Sequence, residues 1–275
     1  GFTDGYKTIQ NTRLMSRIIR SAFDLNSLVM QHAEDLPLSS GGMVNDGIIS
    51  TRLGLQGISY LAEKVIVERD LTLLEEFNCR YHISQISSAA SLEVIKNKKQ
   101  NVKFTSGVSI NNLSLNENDV GDFRTFLKLS PPLRSEDDRI SLVNAIKNDL
   151  IQVIVSDHKP EDEESKRLTF AQAASGASGI ETLLPLALEL FHNESLKLSK
   201  IIECLTSNPA KILKINKGSL STGHDADFCI VDIYKPWVVK KENLVSKSKN
   251  TCIEGKKLQG KVLNTFVKGE ELFKL

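Results

Sequence analysis

The chain has 275 residues, 40% of them hydrophobic and 25% charged, enough for one large buried core or a core with a small satellite domain. Its 35 Lys and Arg against 34 Asp and Glu leave a net charge of +1, which argues against nucleic-acid or membrane-surface binding driven by bulk charge. No apolar run approaches the roughly 18 residues of a membrane span, residues 1–9 carry no signal-peptide pattern, and the composition is too apolar for disorder, so a soluble globular protein is expected.

In chain order, Gly1-Phe2-Thr3-Asp4-Gly5 opens abruptly with no leading strand, and residues 7–22 then carry apolar residues near helical spacing. Residues 27–31 (SLVMQ) read as a short strand. Residues 57–77 read as a helix with Ser59 as an early cap, followed by strand 80–86, helix 88–98 and strand 101–106. Helix 135–148 leads into residues 150–156 (LIQVIVS), the most continuous β-branched run of the chain, and helices 179–191 and 199–205 follow. Strands alternating with helices predict a parallel sheet with helical crossovers. Beyond Asn208-Pro209-Ala210 the pattern becomes short strands (227–232, 237–240, 261–267) with a tight turn at Lys268-Gly269-Glu270, which predicts antiparallel β structure after a boundary near residue 215. Only four or five parallel strands are legible. An eight-stranded barrel of about 250 residues would need more, so the sheet is open or a barrel lacks its beginning.

Four cysteines, Cys79, Cys204, Cys229 and Cys252, form no CxxC pair. They read as reduced thiols of a cytoplasmic protein, ahead of a disulfide frame or a thiolate metal site.

His32, His82 and Asp157 share one placement, each in or just after an apolar strand. Ligand sites of parallel α/β folds lie at the carboxyl ends of the strands. Two imidazoles and a carboxylate there suit zinc, and the Asp can also take a proton from water. Each of the three also has a plainer reading, as a satisfied core residue or a strand-to-loop cap. Asp4, in the Gly-flanked turn FTDGY, is a fourth candidate ligand or an ordinary turn residue. The double-proline loop Leu129–Arg134 holds Ser130 and Arg134 rigidly, either near a ligand or as a connecting turn. Ser175–Gly179, including Gly176, precedes a helix and offers backbone N–H groups to an anion.

Taken together these segments resemble the dihydroorotases, of the cyclic amidohydrolase branch of the amidohydrolase superfamily. The matching pieces include QHAED (31–35), YHISQISS (81–88), SPPLRSEDDR (130–139), VSDHKP (155–160), GASGIETLLPL (176–186), LTSNPAKIL (205–213) and GSLSTGHDADFCIVD (218–232). The resemblance implies a TIM-like (β/α)8 amidohydrolase barrel, N-terminally incomplete over residues 1–214, with strands of a small β-sandwich domain at 215–275. It implies one or two Zn2+ ions, with His32, His82 and Asp157 as ligands, Asp4 as a bridging ligand and Asp157 as general base and acid. Ser130, Arg134, Glu161 and Gly176 fall at substrate-binding positions. The implied reaction interconverts L-dihydroorotate and N-carbamoyl-L-aspartate in pyrimidine synthesis, with no nucleic acid or membrane partner. A homo-oligomer is implied, and aspartate carbamoyltransferase is a candidate partner.

The sequence also departs from the family pattern. The His-x-His motif of the first barrel strand has no counterpart, and the resemblance covers roughly the C-terminal two-thirds of the family. The 275 residues alone are therefore expected to be inactive and prone to aggregate. The family's double-Asp turn is here the shorter Thr3-Asp4-Gly5. Ser130 replaces a common Asn, Asn111-Asn112 replaces a common histidine pair, and Glu161 stands where many relatives carry a His that holds the substrate carboxylate. A carboxylate there repels an anionic substrate unless Arg134 or Arg167 compensates or Glu161 points away. Two alternatives follow: a non-catalytic subunit that scaffolds aspartate carbamoyltransferase, and a hydantoinase or allantoinase acting on another cyclic amide.

Overall fold

In the computed structural model, which describes residues 1–275, the chain forms an α/β layer and a separate antiparallel sheet. The elements are β1 (Phe2–Thr3), α1 (Thr12–Asp24), β2 (Leu28–Gln31), α2 (Leu36–Ser39), β3 (Val44–Asn45), α3 (Ile48–Leu53), β4 (Gly57–Ile58), α4 (Leu61–Leu73) and β5 (Arg80–Ile83). They continue with α5 (Ala89–Lys98), β6 (Phe104–Ser109), α6 (Ile110–Ser114), α7 (Glu136–Lys147), β7 (Val153–Val155), α8 (Glu163–Arg167), α9 (Leu183–His192), α10 (Leu198–Leu205) and α11 (Ser207–Leu213). The last three are β8 (Phe228–Val238), β9 (Lys257–Val267) and β10 (Glu270–Lys274).

Five strands pair in the order β1-β2-β5-β6-β7, all parallel, so the sheet is an open arc. The helices between them act as crossovers. In α1, Met15, Ile19 and Ala22 are buried at the spacing of one helix face, and the Asn11 side chain caps the helix by accepting from Leu14 N at 2.9 Å. In α7 the Ser135 hydroxyl caps the first turn, and Glu136, Asp137 and Asp138 complement the helix dipole there.

The expected opening without a strand is corrected: Phe2 and Thr3 pair with Val29 and Met30 as β1. Two residues are too short to display a period of two, so only the pairing partner defines this strand. The expected strand at 101–106 lies at 104–109, because Ser106 and Gly107 enter the buried sheet while residues 98–102 close the preceding helix. The helix expected over 57–77 begins only at Leu61, since Gly57 and Ile58 pair with Val44 and Asn45 in a two-stranded β3–β4 ladder.

The smaller sheet has the order β10-β9-β8 and is antiparallel throughout. The strands expected at 227–232 and 237–240 form one long edge strand, Phe228–Val238, with a register shift between Asp232 and Pro236, where an edge tolerates proline. The turn at Lys268-Gly269 takes positive φ at both residues (52° and 83°), as a tight hairpin requires. The stretch between β8 and β9 folds back: Val239, Cys252 and Ile253, with Leu258 at the start of β9, join the same core as the α/β layer. Cys79, Cys204 and Cys252 are buried and Cys229 is exposed, all four as free thiols.

Candidate active site

His32 follows β2, His82 lies in β5 and Asp157 follows β7, so the parallel arrangement brings all three to one end of the sheet. They line a single cavity of about 430 Å3 together with Tyr6, Gln85 and His158. Burial is nearly complete, at 3% exposure for each histidine and 7% for Asp157.

Hydrogen bonds fix the state of each imidazole. Thr105 Oγ1 donates to the Tyr81 carbonyl at 3.4 Å and lies 2.7 Å from His82 Nδ1, so Nδ1 carries the proton and Nε2 keeps its lone pair. Burial lowers the His82 pKa to about 4, which keeps the ring neutral at physiological pH. His32 Nε2 lies 3.2 Å from Glu34 Oε2 and 3.4 Å from Ser130 Oγ; against a carboxylate it is the N–H side, which leaves Nδ1 facing away from Glu34. The hydrogen bond from His32 holds the Glu34 carboxyl below its usual range.

Asp157 has the opposite character. Burial raises its pKa to about 6, against the hydrogen bond donated by Gln85 Nε2 to Oδ1 at 2.7 Å and the weaker pull of His32 and Lys159. A carboxyl poised near neutrality is suited to pass a proton in both directions. Its backbone has φ +48°, a left-handed conformation that Asp and Asn tolerate better than most side chains, and such conformations cluster at functional sites.

These donors fit a metal ion in kind. Two imidazoles and a desolvated carboxylate face one cavity, and each imidazole is oriented through one ring nitrogen. They are a partial set, since no three His, Cys, Asp or Glu side chains of the chain close around one point.

The remaining expected residues are placed as follows. Asp4 is exposed beside the cavity-lining Gly5 and accepts from Lys7 N through its carbonyl at 3.2 Å. Ser130 reaches the cavity only through His32 and Glu34. Arg134 is turned into the core: it donates to Asn45 Oδ1 at 2.9 Å, the Ile58 carbonyl at 2.6 Å and Ser87 Oγ at 3.2 Å. Arg134 thus forms a buried tie between the proline loop, β4 and the end of β5, and is not among the residues that line the cavity. Glu161 lines a different groove, between the loop after β7 and residues 241–254, so it points away from the cavity. Arg167 pairs with Glu163 and Glu164 at the surface.

The anion cradle expected at Ser175–Gly179 is not formed. Gly176 N donates to the Lys128 carbonyl, Ser178 N to the Asn250 carbonyl and Gly179 N to His158 Nδ1, so these N–H groups are already partnered. Gly176 (φ +142°) is needed for close approach, because a Cβ there would lie 2.6 Å from the Lys159 carbonyl. Sequence reading passed over Tyr6, Gln85 and His158. Gln85 lies three residues after His82 and His158 adjoins Asp157, but nothing local distinguishes either from a solvated loop residue.

A parallel sheet carrying His, His and Asp at its carboxyl edge is the arrangement of a barrel-type hydrolase. The amidohydrolase family profile matches residues 4–272, and the chain belongs to that family. It is 40% identical over 275 residues to the dihydroorotase of Ehrlichia canis, covering 99% of this chain and 62% of that protein. It is 41% identical over 273 residues to the dihydroorotase of Syntrophus aciditrophicus, covering 99% and 64%. The chain thus spans somewhat less than two-thirds of the length of these curated relatives. Among solved structures it superposes on L-hydantoinase from Arthrobacter aurescens with a TM-score of 0.87 over 98% of this chain and 62% of that one. At 24% identity that likeness defines the fold alone, an amidohydrolase barrel of which this chain supplies an arc.

Proposed function

We propose that the full-length protein is a zinc-dependent dihydroorotase, opening L-dihydroorotate to N-carbamoyl-L-aspartate and closing it again. The observation that carries this is the meeting of His32, His82 and Asp157 in one cavity, within a chain about 40% identical to proteins named dihydroorotase. His32 through Nδ1, His82 through Nε2 and Asp157 would hold the metal, with Asp4 at the rim as a fourth candidate. When bound, zinc supplies Lewis-acid polarisation of a carbonyl and acidifies water towards a pKa of about 7. Asp157, with its pKa raised to about 6, takes the proton of the attacking water on a carboxylate oxygen and delivers it to the leaving ring nitrogen. Gln85 keeps that carboxylate aimed into the cavity, and Glu34 and Thr105 hold the two imidazoles.

Glu161 lines the outer groove and not the cavity, which removes one of the motives for a non-catalytic scaffold. Aspartate carbamoyltransferase as a partner and a cytoplasmic homo-oligomer remain part of this reading. No helix is long and apolar enough to cross a membrane.

The test is ring opening of L-dihydroorotate by the full-length protein supplied with zinc. Asp157→Asn keeps a side chain that tolerates the left-handed backbone and is expected to lower kcat by about 10²–10⁴. Undiminished turnover in that variant would remove Asp157 from the chemistry.

A further inference from the structure

Two polar side chains stand directly before the two histidines. Gln31 precedes His32 at the end of β2, and Tyr81 precedes His82 in β5. Val29 pairs with Tyr81 and Gln31 with Ile83, so Gln31 and Tyr81 share one face of the sheet, opposite His82.

There they meet one residue of α4. Asp70 Oδ2 accepts from Gln31 Nε2 and from the Tyr81 hydroxyl, the latter at 2.6 Å. Asp70 Oδ1 accepts from Arg69 Nε at 2.8 Å and lies 2.8 Å from Arg69 Nη2. Gln31, Asp70 and Tyr81 are 3%, 1% and 3% exposed, so water cannot stand in for a lost partner.

The same pair reaches the loop that carries His32. Arg69 Nη1 donates to the Gln10 carbonyl at 2.9 Å, and Gln31 Oε1 accepts from Ile9 N at 3.0 Å. Residues 8–10 in turn hold that loop: Thr8 Oγ1 donates to the His32 carbonyl at 2.7 Å and accepts from Glu34 N at 3.1 Å. The β2–β5 ladder ends at Gln31 and Ile83, so His32 lies past the last paired residue. Its backbone is therefore placed by these side chains and not by the sheet alone. Ligands of a metal must be held to within about 0.5 Å, and a buried carboxylate with several donors supplies that rigidity because losing one partner leaves the others unsatisfied.

Resting on the metal-binding part of the reading above, we infer that Asp70 is the positioning residue for His32 and His82. Its carboxylate, matched by Arg69, acts through Gln31 and Tyr81 from behind the sheet and fixes the spacing at which β2 and β5 deliver the two imidazoles. The ligand whose binding it governs is a divalent cation held between them.

The experiment uses the full-length protein. Zinc affinity is measured by competition with a chromogenic chelator, beside the unfolding midpoint of the zinc-free protein and steady-state kinetics on L-dihydroorotate at saturating zinc. Asp70→Asn keeps the size but turns one acceptor into a donor, which then faces either Arg69 or the pair Gln31 and Tyr81. It is expected to raise the zinc Kd by about tenfold or more, and to lower kcat by about tenfold with KM within about threefold of the parent. Tyr81→Phe removes a single donor and is expected to raise the zinc Kd by about three- to tenfold; in the double variant the two effects should not add. A zinc Kd within about twofold of the parent in Asp70→Asn, whatever the unfolding midpoint, would overturn the assignment in favour of a structural role. Should Asp70→Asn not fold, a folded Tyr81→Phe with a zinc Kd within about twofold of the parent would overturn it equally. A parent protein that binds zinc but leaves L-dihydroorotate closed would overturn the dihydroorotase reading alone, and one that binds no zinc would overturn both.

Discussion

Gly176 and Arg134 serve the site without touching the reaction. Gly176 combines φ +142° with a 2.6 Å approach to the Lys159 carbonyl, so Gly176→Ala adds backbone strain and pushes on the Lys159 stem. A loss of about 1–3 kcal/mol is expected, read by denaturant unfolding of the full-length protein. Arg134 is a buried cation flanked by Glu63, Asp138, Glu34 and Glu117, whose charges oppose the lowering of its pKa by burial. Arg134→Ala leaves Asn45 and the Ile58 carbonyl unpaired and is expected to cost about 3–5 kcal/mol. A variant as stable as the parent but with a raised KM would restore the substrate role that sequence alone suggested. Lys166 offers a pH signature. Burial lowers its pKa from 10.5 to about 8, so between those values the folded chain binds fewer protons than the unfolded chain. Its unfavourable charge is lost as pH rises through that window, so stability gains from this residue between about pH 8 and 10.5. Lys166→Met is expected to flatten that part of the Tm–pH curve.

At the scale of elements, α4 is coupled to α5 through one carboxylate. Glu63, buried in α4, accepts from Ser87 N at 2.9 Å, Ser88 N at 3.1 Å and the hydroxyls of both serines, while Ser88 Oγ caps α5 by accepting from Ser91 N at 3.2 Å. Arg134 meets the same cluster through Ser87 Oγ. The loop after β5, which carries Gln85 towards Asp157, is thus pinned from both sides. Glu63→Ala is expected to leave these donors unsatisfied at a cost of about 1–3 kcal/mol each. Amide exchange should then accelerate at the start of α5 more than in α7, and equal acceleration in both helices would mean that Glu63 acts on global stability alone. Asn250 has the corresponding role for the loop after β7. Its Nδ2 donates to the Gly176 carbonyl at 3.0 Å, and its Oδ1 accepts from Ser178 Oγ at 3.1 Å and Glu161 N at 3.3 Å. The stretch between β8 and β9 therefore sets the path of the residues that follow Asp157.

For the whole molecule, the parallel arc has β1 and β7 paired on one side only, and Phe2 and Ile180 are more than half exposed. Unpaired strand edges beside apolar surface recruit further strands. Residues 1–275 produced alone are expected to associate, as light scattering would detect, and a monomer with cooperative unfolding would contradict this. The thiols report on the same packing. Burial raises Cys79 and Cys204 to about 11 and Cys252 to about 12, whereas Cys229 is exposed on β8. At pH 8 the native protein is expected to label rapidly at Cys229, and Cys229→Ser should remove that fast phase.

The sequence by itself determined the alternation of strands and helices, the antiparallel end of the chain and the candidates His32, His82 and Asp157. Each of these rests on local pattern: an apolar run of sheet length, or a polar residue where such a run stops. Tertiary structure alone decided β1, whose two residues become a strand only beside Val29 and Met30. It also decided which charged residues face the cavity. Arg134 and Glu161 stand at positions that suggested substrate contact, but Asn45, Ile58 and Ser87 draw the arginine inward, and the groove beside Asn250 takes the glutamate. Period and composition carry the direction of a side chain within a helix or strand. In a loop that direction follows from the partners that hold the backbone, and those partners are distant in sequence.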